Sequence, residues 1–144
     1  MIRLRELDGK AIVVGAIAGM ALGTLYGALS GTLAWALGAT PEGLAATSAD
    51  RLMMGGMLTL GLVFSGIGGH LAARRAKRME IAHAAMAGLL LVVLSLLFSL
   101  LMSLIPVGVP ASPTWFAVAS YLLTIPAATL GGWLARPRSL QATA

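Results

Sequence analysis

The sequence predicts an all-α polytopic membrane protein: four transmembrane helices, arranged as two hairpins, with both termini cytoplasmic. Three observations carry this. The chain of 144 residues is 58% hydrophobic and only 10% charged, against a charged share of about 25% in soluble domains. Its apolar residues fall into four stretches, about 10–37, 52–73, 81–105 and 115–135, each able as a helix to cross most or all of a hydrocarbon core of roughly 30 Å. Nine of the ten Lys and Arg residues lie before the first stretch, between the second and third, or after the fourth. Only Arg51 lies on the other side, beside Asp50 and Glu42, so the positive-inside rule puts both termini and the 74–80 loop in the cytoplasm. The net charge of +5 is thereby explained by topology, without a nucleic-acid partner. We expect one domain, 1–144, too short for a bundle plus a soluble catalytic domain.

The first span follows a mixed-charge leader, Met1 to Lys10, and carries no charge from Ala11 to Pro41. A run of that length far exceeds a signal-peptide core of about 7–15 residues, which predicts an uncleaved span. Within it Gly15, Gly19, Gly23, Gly27 and Gly31 recur at every fourth position. Each interior Gly costs roughly 1 kcal/mol against Ala in a water-exposed helix, but in hydrocarbon an unpaired backbone group costs more, so the segment stays helical. The ridge runs about 24 Å at about 1.5 Å per residue. It offers another helix backbone contact by small-xxx-small packing, at Gly23 as much as at its neighbours. Trp35 fits the aromatic belt at the far interface.

The loop to the second span holds Pro41 and Gly43, with Ser48 or Asp50 as the expected helix cap. The second span repeats the small-residue spacing in Gly61, Ser65, Gly69 and Ala73, so spans one and two are expected to pair ridge to ridge. Met53, Met54 and Met57 at its start read as adaptable packing. Arg74, Arg75, Lys77 and Arg78 form the topological anchor, and the same charges suit anionic lipid headgroups. The third span is leucine-rich apart from the Ser95, Ser99 and Ser103 stripe, which makes it the expected lipid-exposed helix. Pro106, Pro110 and Pro113 stiffen the next loop. The fourth span opens at Trp115 and Phe116 and contains Pro126, which frees the carbonyl of Leu122. Thr124 or Thr129 is the expected partner for that carbonyl.

Two span ends resemble one another: Gly68-Gly69-His70-Leu71-Ala72-Ala73-Arg74 and Gly131-Gly132-Trp133-Leu134-Ala135-Arg136. Two similarly oriented hairpins would produce this repeat. The first of these motifs, followed by Glu80 and His83 ahead of a Gly-containing span, resembles small bacterial four-span membrane proteins of unknown function. That resemblance implies a location in the bacterial inner membrane and no established activity.

Chemistry has few places to reside. No Asp, Glu, Lys or Arg falls inside the spans, and such residues mark ion pathways and proton relays. Without Cys there is no thiolate nucleophile or thiolate metal site, and the serines lack an acid–His pair for hydrolysis. We therefore expect no enzyme, no metal and no catalytic residues. His70 and His83 sit at the cytoplasmic span ends, where an interfacial His is comfortable. A sharper alternative makes either an axial ligand to haem or a chlorophyll-type pigment, with Gly66 and Gly69 leaving room for the macrocycle. The leading expectation is a non-catalytic subunit or scaffold packing through Gly15, Gly19, Gly23, Gly27, Gly31, Gly61, Ser65 and Gly69, with lipids and membrane subunits, or further copies of itself, as partners. A small channel or carrier formed by a homo-oligomer is the alternative.

Overall fold

The computed structural model describes residues 7–38, 40, 43, 50–76, 79–104 and 113–136. They form four α-helices: α1 (Gly9–Ala36), α2 (Arg51–Arg75), α3 (Glu80–Ser103) and α4 (Thr114–Leu134). No strand occurs among the described residues. All four helices are long and apolar enough to cross a membrane. No more than 22% of the most apolar stretch of any helix is buried, so most of these stretches lies outside the core of the bundle.

The helix starts follow local chemistry. The Asp8 carboxylate accepts the Lys10 N–H at 2.9 Å to open α1. Asp50 does the same for Leu52 at 2.8 Å to open α2, satisfying a donor that has no partner within the helix. At α3 the chain turns at Met79, which holds a left-handed conformation with φ 54° and gives no side-chain cap. Pro113 precedes α4. Pro126 is accommodated within α4, but neither threonine answers Leu122. Thr124 donates to Ser120 and Thr129 to Ile125, each at 2.7 Å. A helical threonine reaches the carbonyl one turn back, and Leu122 is not in that position for either.

The helices form a rhombus. α1 touches α2 and α3, α4 touches α2 and α3, and α2 and α3 meet across the short diagonal. α1 and α4 do not meet among the described residues, and the most extensive contact joins α2 to α4. Apart from Met54 near the start of α2, the buried residues gather at one end: Ala11 to Gly19 of α1, Ser65 to Ala73 of α2, His83 to Leu91 of α3 and Ala128 to Gly132 of α4. Lys10, Arg74, Arg75 and Arg136 mark this basic end, where Arg136 Nε lies 4.0 Å from Glu80 Oε2. Towards the opposite, loop end the helices separate. The apolar stretch of α3 is, with that of α4, the least buried of the four, at 17%. Ala84, Ala87 and Gly88 in its first half lie against its neighbours, while Leu89, Val93 and the run from Leu96 to Leu104 are exposed.

Candidate functional site

The closest contacts are made by glycine against backbone. A Cβ placed on Gly15 would lie 2.5 Å from the Gly68 carbonyl oxygen and 2.6 Å from the Ala72 Cβ. One on Gly19 would lie 3.3 Å from the Phe64 carbonyl oxygen and from a Leu91 methyl. The two Gly–Gly pairs each serve two neighbours. Gly68 meets Gly15 of α1, while Gly69 meets the Ala128 backbone of α4. Gly131 meets the Gly66 backbone of α2, while Gly132 meets Ala84 of α3. Small residues at the interface are what permits approach at this distance.

Beyond Gly19 the ridge has no partner among the described residues. Gly23, Gly27 and Gly31 of α1, and Gly61 of α2, have nothing within 4 Å of a Cβ built on them. The rings of Tyr26 and Phe64 pack at a tilt across α1 and α2 with centroids 5.9 Å apart, and two bulky rings between helices preclude backbone contact at that level. The ridge is therefore half closed and half open.

The two histidines have different surroundings. His83 is 1% exposed, the largest fully buried side chain among the described residues. Its Nε2 accepts the Asp8 backbone N–H at 2.8 Å, and its Nδ1–H donates to the Met79 carbonyl at 3.0 Å. These partners define a neutral imidazole protonated on Nδ1, with neither nitrogen left for an axial metal. His70 is half-buried beside Gly131, whose carbonyl accepts from Nδ1 at 3.3 Å. It borders an apolar groove of about 510 Å³ between α2 and α4, lined among others by Val63, Ile67 and Leu130. The room foreseen beside Gly69 is taken by Ala128 of α4. Arg74 and Arg75 close α2 as its last, exposed turn, where cations complement the helix dipole. Lys77 and Arg78 lie outside the described residues.

Where the helices part, all four line a cavity of about 260 Å³. It begins at the level of Gly19, Ser65, Leu91 and Thr124, near the middle of each helix, and extends toward the loop end past Met57, Phe98 and Phe116. The serine stripe divides here: Ser95 faces the cavity, whereas Ser99 and Ser103 are exposed. Thr24, Ser65, Ser120 and Thr124 complete a set of hydroxyls drawn from all four helices. No spacing within a single span signals this set, and sequence reasoning missed it. It also missed the Asp8–His83 bond, which joins residues 75 positions apart. No family model matches the chain, and comparisons with curated proteins and with solved structures likewise find no match.

Proposed function

We propose that this chain is a non-catalytic integral subunit of the bacterial inner membrane, with cytoplasmic termini, and that it holds a partner helix against the open half of its glycine ridge. The observation that carries the reading is the split of one ridge into two parts. Gly15 and Gly19 are consumed by α2, whereas Gly27 and Gly31 have open space around them. A glycine in a helix interior sacrifices favourable side-chain contacts and backbone stability, so an unfilled row invites a close-packed neighbour. That neighbour is a subunit of a larger membrane complex or a second copy of this chain. A carrier function is the second reading, favoured by the hydroxyl-lined cavity.

The test is a pull-down of tagged protein from its native membrane in mild detergent, with mass spectrometry, comparing wild type with Gly27→Leu/Gly31→Leu. Wild type should retain stoichiometric partners, and the variant should lose at least nine-tenths of them, ~10-fold being worth ~1.4 kcal/mol. Its thermal stability as an isolated chain should not fall, because neither Cβ meets anything within 4 Å and Leu is the better helix former. Recovery of a lone monomer from wild-type membranes would refute the subunit reading.

A further inference from the structure

We propose that the cavity between the four helices is a binding site for a small, uncharged aromatic molecule bearing one hydrogen-bond donor, of the phenol or indole kind. Size gives the first restriction. At about 260 Å³ the space falls just below the usual range of roughly 300–1,000 Å³ for ligand pockets, so the occupant is small. Charge gives the second. No Asp, Glu, Lys or Arg lines it, and an ion stripped of water there would find no counter-charge to offset its desolvation.

The walls specify the body of the ligand. Phe64, Phe98 and Phe116 present three rings, and Met20 and Met57 two thioethers, which favour an aromatic guest through ring–ring and sulfur–ring contacts. The hydroxyls specify its polar end. Thr24, Ser65, Ser120 and Thr124 each donate to a carbonyl of their own helix, at 2.7 to 2.9 Å. Their protons are committed, and they offer a guest only lone pairs. Ser95 alone among the lining hydroxyls makes no hydrogen bond within the described residues. Half-buried on the cavity wall, it can donate to a guest hydroxyl, while the guest's O–H or N–H takes up a neighbouring acceptor.

The experiment uses full-length protein in phosphatidylcholine nanodiscs, with 4-fluorophenol as probe and fluorine NMR as readout, empty nanodiscs correcting for partition into lipid. Saturable 4-fluorophenol binding is expected, with fluorobenzene and 4-fluorobenzoate each at least tenfold weaker. Gly61→Leu, whose side chain enters open space at the cavity wall, should weaken binding at least tenfold without loss of fold by circular dichroism. Ser95→Ala should weaken it about fivefold, the loss of one hydrogen bond. Binding no greater than in empty nanodiscs would overturn the proposal. So would binding unchanged in Gly61→Leu, equal binding of 4-fluorobenzoate, or equipotent displacement by dioctanoylglycerol, which would assign the space to lipid. Gly27 and Gly31 take no part in the cavity, so this result is independent of the partner-helix test.

Discussion

Alanine at Gly131 is expected to destabilise the bundle more than any other single methyl group added to it. The new Cβ would overlap the Gly66 backbone of α2, and backbone within a helix cannot rotate aside as a side chain can. Overpacking typically costs about 1–3 kcal/mol, and a clash with backbone puts Gly131→Ala at or beyond the top of that range. Gly69→Ala, which overlaps the Ala128 backbone, should behave alike. Gly27→Ala gives the internal contrast: with nothing within 4 Å, it escapes the clash and gains the roughly 1 kcal/mol by which Ala exceeds Gly in a helix. Opposite signs for the same chemical change, read as thermal unfolding in detergent, are therefore expected. If Gly131→Ala melted with wild type, backbone contact between α2 and α4 would not be what holds this end together.

That contrast also shows what the sequence could and could not disclose. The helices were legible because apolar runs and their punctuation are local: Asp50, one of the expected caps, and Pro113 each stand at a helix start. The spacing of Gly15 and Gly19 announced a close contact because side chains four apart share a helix face. It could not say where the contact would end, since that depends on Phe64 of another helix meeting Tyr26. The Gly–Gly repeat was visible, yet its consequence was not. Chain neighbours suggested pairing within each hairpin, whereas the most extensive contact runs between α2 and α4. The cavity escaped for a related reason: its hydroxyls come from different helices, and only the splay of the bundle brings them to one space.

His83→Leu is expected to loosen the start of α1 from the rest of the bundle. Among the described residues, the imidazole is the side chain that ties the start of α1 to α3: its Nε2 accepts the Asp8 N–H, while its Nδ1–H donates to the carbonyl of Met79 at the start of its own helix. Leucine fills comparable space, so the loss is chiefly that of the bonds. Leaving a part-buried donor without its acceptor costs about 1–3 kcal/mol. Met79 still receives the His83 backbone N–H at 3.1 Å, so the deficit falls on Asp8. Amide exchange over residues 8–12 should then accelerate at least tenfold while the centre of α3 stays protected, because opening is local before it is global. His83→Gln, whose amide both donates and accepts, should recover part of the protection. Met79→Gly separates backbone strain from this latch. It relieves a left-handed conformation that costs roughly 1–2 kcal/mol in a residue with a Cβ, and it should raise stability without changing exchange at Asp8. Uniform acceleration across α1 and α3 in His83→Leu would instead make His83 a packing residue, whose two hydrogen bonds contribute nothing particular to the seating of α1.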